Sequence, residues 1–465
     1  MESTKEALRK FDISTLVDAV AEIILLDKSQ LTVEVERYIW PRLDFMHGES
    51  STGKRYFILE ESYVETEWKD MISVHYINTS YEVKNTVIRV HVFLGKEMSQ
   101  QAYGGFFTLR KIDEPGIMLS YIYPNWSVLY SNGSLLNVMT YKKKVHILGN
   151  EFIYSTYPLF VQDNNTIACA EASMISMSQY LHHKFDYNKI RILDLGKAYS
   201  SGKTKLYPAS GLRPTQMIEI FNYYNISIGY QVFINNSETD FEEFRGYIDY
   251  SVESGLPVIL GLSVPEKGKK DKLHIVQVIG HTKQDRMHYV IYDDSGFFLK
   301  NGLNYNGFVL GVGWEELKKF IKTKNSFLIY PIHEKVYIPY ETFKSRFRDT
   351  FNSLKSLKRM ERENINLENV RYLLADNREV KKFLREDVEK GSLTEAIVLE
   401  EEKRLLETDM PHYLWVCEIP VKNVSEETEY LFFFANPTYS RVTMKNIFIN
   451  KIPVLRKEQF GLLSY

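Results

Sequence analysis

The stretch Gln162-Asp163-Asn164-Asn165-Thr166-Ile167-Ala168-Cys169-Ala170-Glu171-Ala172-Ser173 stands where the chain changes character. Just ahead of it, Tyr157-Pro158-Leu159-Phe160 reads as an extended lead-in. From it onward, Ala172, Ile175, Met177 and Tyr180 mark a strongly apolar helix that runs from about Cys169 to His182. A second helical stretch covers Pro214 to Tyr224. Strands are predicted near Ile228–Ile234, Pro257–Val264, His274–His281, His288–Asp293 and Phe327–Ile332. A helix followed by a run of strands, rather than alternating strand and helix, is the pattern of an α+β domain over residues 151–335.

Cys169 opens the first of these helices. A helix N-terminus presents unpaired backbone N–H groups and positive partial charge, which favour a thiolate, the nucleophilic form of cysteine. Alone, Cys169 reads as a small buried hydrophobe, the commoner fate of an intracellular cysteine. The surroundings change that balance. Leu256-Pro257-Val258-Ile259-Leu260-Gly261 reads as a buried strand, and His274 opens the next one, Ile275-Val276-Gln277-Val278-Ile279-Gly280. A third, Tyr289-Val290-Ile291-Tyr292, ends in Asp293-Asp294-Ser295-Gly296. In an antiparallel meander, the start of one strand and the end of the next lie at the same sheet edge. A carboxylate there can accept from one nitrogen of His274 while the other faces a thiol.

These segments resemble the papain-like cysteine peptidases, most closely the compact bacterial branch that includes the leader-peptide-cleaving domains of bacteriocin exporters. The resemblance spans residues 157 to 300. It is carried by the Pro-Leu-Phe-Val-Gln lead-in, the Cys at a helix start, the Gly-Leu-Pro-Val-Ile-Leu strand, the His-Ile-Val-Gln-Val-Ile-Gly-His strand and the Tyr-Val-Ile-Tyr-Asp strand. It implies a papain-like central domain in which the helix carrying Cys169 packs on an antiparallel sheet. Cys169 would then be the nucleophile, His274 the general acid/base and Asp293 the residue that orients it. Gln162 would donate to the oxyanion. Ala168 and Ala170 replace the polar residue and the Gly common around the nucleophile, and Asp294 stands where a Pro is often found, which makes it a rival orienter. The implied activity is thiol-dependent hydrolysis of an amide bond in a protein or peptide, with no metal or organic cofactor. Acyl transfer through the same triad, of the transglutaminase kind, and an inactive papain-fold binding module are the alternatives.

The rest of the chain fits around this centre. At roughly 150 residues per domain, 465 residues predict two or three domains. Residues 1–150 read as a β-rich domain with a leading amphipathic helix over 4–27 and short runs at Tyr56–Leu59, Ile72–Ile77, Val87–Leu94 and Ile117–Tyr123. Residues 336–465 read as helical, opening on the Phe343, Phe347, Phe351 and Leu354 stripe, and then as strands at Tyr413–Ile419, Tyr430–Phe434 and Asn446–Ile449. A protein partner through these flanking domains is the expectation. With 58 basic against 60 acidic side chains and a net charge of −2, nothing draws the chain to nucleic acid or anionic membrane. No signal pattern opens the sequence, and no apolar stretch is long enough to span a bilayer, so the expected setting is the reducing cytoplasm.

Two phosphate-loop look-alikes lack required parts. Gly48-Glu49-Ser50-Ser51-Thr52-Gly53-Lys54 is followed by Arg55 where a Ser or Thr is needed, and then by a strand. Ser201-Gly202-Lys203-Thr204 has its upstream Gly196 one residue too far away. His182, His183, His274 and His281 have no accompanying Cys pair or zinc-binding helix motif, so no metal site is expected.

Overall fold

The structure is a computed structural model. It describes residues 10–11, 39, 43, 55–76, 84–94, 97–111, 117–129, 136–162, 169–198, 212–264, 272–282, 288–294, 309–321, 325–354, 370–390, 396–422, 428–438 and 454–456. It is an α+β protein whose chain gathers into two compact units. Met1–Asn236 and Pro257–Tyr330 form one, and Ser237–Leu256 and Pro331–Ser464 form the other.

In the first unit, β1 (Lys10–Phe11), β2 (Arg55–Tyr63), β3 (Val87–Leu94), β4 (Tyr103–Lys111) and β5 (Ile117–Pro124) pair antiparallel in that order. Val, Ile and Phe alternate closely through β3, and its residues are buried on both faces. The helix expected over 4–27 does not hold at Lys10 and Phe11, which pair with Ile58 and Phe57 on β2. The open backbone groups along a sheet edge favour a strand there over local helical periodicity. The remainder of that expected helix lies outside the described residues.

The strand expected at Ile72–Ile77 is also corrected. The chain instead runs from α1 (Thr66–Met71) straight into a π-helix, Ile72–Tyr76. Trp68 and Met71 are wholly buried and anchor α1, and the Ser73 hydroxyl donates to the Lys69 carbonyl at 2.9 Å. Packing of the preceding turn overrides the β-branched preference of the run.

After α2 (Trp126–Leu129) come β6 (Leu136–Val138) and a hairpin of β7 (Tyr141–Ile147) and β8 (Asn150–Thr156). The lead-in Leu159–Phe160 is β9, and it closes the first sheet by pairing with β5. The helix that begins at Cys169 is α3 (Cys169–Phe185), followed by α4 (Ile192–Ala198) and α5 (Pro214–Tyr223).

A second sheet has the order β10 (Ile228–Val232), β15 (Phe327–Pro331), β11 (Val258–Val264), β12 (Lys272–Thr282), β13 (His288–Tyr292) and β14 (Val309–Gly313). The three middle strands form the antiparallel meander expected from the sequence, with Leu262 opposite His274 and Gln277 opposite Tyr292. β6, from the N-terminal part of the chain, also pairs with β12, setting Val138 opposite Gly280. Gly280 is what permits this approach, since a Cβ there would collide with the Asn137 carbonyl.

The second unit contains α6 (Glu238–Glu253), α8 (Tyr340–Leu354), α9 (Asn377–Lys390) and α10 (Ala396–Glu407), whereas the short α7 (Trp314–Lys318) follows β14 in the first. The sheet of the second unit runs β16 (Arg371–Asp376), β17 (Tyr413–Lys422), β18 (Thr428–Ala435) and β19 (Val454–Arg456). Leu373, Val380, Leu384, Leu405, Val416 and Phe432 fill its core. The phenylalanine stripe of α8 faces inward, and Phe343 stacks on Trp415 at 4.9 Å. The strand expected at Asn446–Ile449 lies outside the described residues.

Candidate active site

α3 is buried almost all round, from Ala170 to Leu181. A helix so enclosed must satisfy its polar side chains locally, and Ser176 and Ser178 do this. The Ser178 hydroxyl donates to the Ile175 carbonyl at 3.0 Å and accepts from the Ile190 N–H at 3.2 Å. The Ser176 hydroxyl accepts from the Phe160 N–H at 2.8 Å, which ties β9 to the helix. Across the helix, Gln277 of β12 donates from Nε2 to the Ser173 carbonyl, and its Oε1 lies 3.3 Å from the Tyr157 hydroxyl. Lead-in, helix and second sheet are thereby locked together, with Cys169 at the partly exposed start of the helix.

His274 lies near the start of β12, and Asp293 follows directly on the end of β13. Their side chains meet, with His274 Nε2 2.8 Å from Asp293 Oδ1. Asp293 is wholly buried and the His274 side chain is 12% exposed. That contact leaves Nδ1 as the ring nitrogen available to the thiol, and the Cys169 side chain hydrogen-bonds the ring. Burial opposes a charge on the imidazole. The hydrogen bonds with Asp293 and Cys169, together with the fields of both, more than offset this and push its pKa up to about 9. The ring is therefore protonated at neutral pH, between a carboxylate and a sulfur.

Asp294 has a different partner. Neighbouring residues at a strand end project to opposite sides, and Asp294 Oδ2 accepts from the backbone N–H of Gln162 at 2.8 Å. Its Oδ1 lies 3.2 Å from the Tyr292 hydroxyl. Gln162 itself is buried. The structure thus brings Cys169, His274 and Asp293 into one chain of contacts and ties the Gln162 backbone to the next residue along, Asp294. The sequence reading passed over Tyr292, Asp294 as an anchor, and Ser176. The two-residue spacing of Tyr292 and Asp294, which puts both on one side of the strand, was the available signal.

The other cysteine offers a contrast. Cys417 is wholly buried in β17 between Tyr372 and Phe433, and burial raises its thiol well above the ordinary range. Two of the other described histidines have partners of their own. His182 Nδ1 lies 2.7 Å from the Tyr187 carbonyl, and His183 stacks on Tyr141 at 4.5 Å. Among the described residues no group of three or more His, Cys, Asp or Glu could hold a metal ion, and no helix is long and apolar enough to cross a membrane. Both phosphate-loop look-alikes lie outside the described residues, and Arg55–Glu60 after the first is part of β2. No family model matches the chain, and no curated protein matches it.

Proposed function

We propose that this protein is a thiol hydrolase of the papain-like kind, cleaving an amide bond in a protein or peptide. The observation that carries the reading is the relay Cys169, His274, Asp293. It holds an imidazole protonated to about 9 against a cysteine at a helix start. In such a pair, the sulfur attacks the carbonyl carbon and the carbonyl π electrons move to oxygen. As the tetrahedral species collapses, the proton on His274 passes to the leaving nitrogen. Water, deprotonated by the now neutral His274, then attacks the acyl-enzyme and returns the thiol. The Cys169 backbone N–H and the Gln162 side chain are the donors assigned to the oxyanion. Losing one such donor raises a barrier by about 3–4 kcal/mol.

The test is differential labelling of the native protein with iodoacetamide near neutral pH. Cys169 is expected to react at least tenfold faster than Cys417, and Cys169→Ala to abolish both that labelling and nitrophenolate release from p-nitrophenyl acetate. Equal, slow labelling of both cysteines would sink the reading.

A further inference from the structure

The three backbone N–H groups that lead to the oxyanion donor are each held by a different element. Phe160 donates to the Ser176 hydroxyl on α3 at 2.8 Å, Val161 to the Ser120 carbonyl on β5 at 2.9 Å, and Gln162 to Asp294 at 2.8 Å. The Tyr292 hydroxyl adds a further tie, sitting 3.0 Å from the Phe160 carbonyl and 3.2 Å from Asp294 Oδ1. Only the last of the three N–H bonds is to a carboxylate, and bonds of that kind are about twice as strong as neutral ones. It also falls on the residue that matters, since it fixes the backbone from which the Gln162 side chain extends. Asp294 is almost fully buried, and in the chain it is bonded directly to the residue that holds His274.

We propose that Asp294 is a positioning residue for the oxyanion hole, acting on acyl chemistry through Gln162 while Asp293 acts through His274. This deepens the hydrolase reading and rests on it. Two consecutive carboxylates would then set the two halves of the site. Asp293 keeps the proton donor charged, and Asp294 keeps the oxyanion donor in register with the sulfur. Donors that are already in place when charge develops are what make such a hole effective. A shift of the Gln162 backbone therefore slows carbonyl attack without changing the thiol–imidazole pair.

Two reagents separate these effects on the full-length protein. p-Nitrophenyl acetate acylates the thiol through a tetrahedral oxyanion and releases nitrophenolate. Iodoacetamide alkylates it by displacement of iodide, with no oxyanion formed. Asp294→Ala is expected to slow acylation roughly 10- to 100-fold while leaving alkylation within about twofold, and Asp294→Asn, which keeps an acceptor for the Gln162 N–H, to recover most of the rate. In a Gln162→Ala background, Asp294→Ala should slow acylation no further, because the group it positions is gone. Loss of acylation and alkylation together in Asp294→Ala would overturn the proposal and assign Asp294 to the thiol–imidazole pair or to folding. Multiplying effects in the double variant would overturn it as well. A wild-type Cys169 that is alkylated quickly but never acylated would bring down the hydrolase reading, and this inference with it.

Discussion

The charge on His274 links the site to the stability of the protein around it. In an unfolded chain the imidazole titrates near 6.5, whereas in the folded protein Asp293 and Cys169 hold it up to about 9. A group whose pKa rises on folding stabilises the fold most while both states are protonated. That contribution, roughly 3 kcal/mol at 1.36 kcal/mol per tenfold, is complete below about pH 6.5 and lost as the pH climbs through 9. Urea titrations of the wild type and His274→Gln should therefore differ most at pH 6 and converge by pH 10. A gap that widened toward alkaline pH would mean that the ring is neutral in the folded state. The two aspartates should separate by the same logic. Asn at 293 can still accept a hydrogen bond but removes the negative charge, so the His274 titration followed by NMR should move down by one unit or more. Asn at 294 should leave that titration in place, because its partners are the Gln162 N–H and the Tyr292 hydroxyl.

At the scale of elements, the junction of β6 and β12 is where the N-terminal part of the chain enters the site's own sheet. Gly280 faces the Asn137 carbonyl too closely for a Cβ, and next to it the Met139 N–H donates to the Ile279 carbonyl at 2.9 Å. Gly280→Ala should push β6 away, at a cost of about 1–3 kcal/mol, the usual range for an overpacked contact. Faster hydrogen exchange at the Met139 amide would report it, and unchanged protection there would show that β6 is not held by this approach. This junction also marks the limit of what could be read in advance. α3 and β11 to β13 were legible because helix and strand periodicities are local, and the contact of His274 with Asp293 follows from a meander with short connections. The pairing of β6 with β12, and of β9 with β5, has no local signature, since each partner is an ordinary short strand whose mate lies far along the chain. The same is true of Asp294. Alternation predicts that it faces away from Asp293, but only the fold brings Gln162 to meet it.

At the scale of the molecule, chain order and compact units do not coincide. Helix α6 lies between β10 and β11 in sequence, yet it belongs to the second unit, where it packs on β16. The bond between them is a buried ionic one. Arg371 on β16 donates from Nε to Glu253 of α6 at 2.7 Å and from Nη1 to Glu418 of β17 at 2.9 Å, and all three side chains are buried. Next to it, the Leu374 N–H donates to the Ser254 hydroxyl at 2.8 Å. Tyr250 stacks on Tyr340 at 4.7 Å, and Ile248 and Val252 are covered. A chain ended after Tyr330 keeps every residue assigned to catalysis but leaves α6 without these partners. It takes away the Arg371 guanidinium that pairs with the Glu253 carboxylate. It also exposes an aromatic and aliphatic stripe in the middle of the first unit's sequence. Such a truncated chain is therefore expected to aggregate on expression, even though its Cys, His and Asp are intact. Changing Glu253 to Gln and Tyr247, Tyr250 and Val252 to polar residues in the same truncated chain should restore solubility and rapid iodoacetamide labelling of Cys169. If the unmodified truncation is instead monomeric and labels at the wild-type rate, then α6 does not need the second unit.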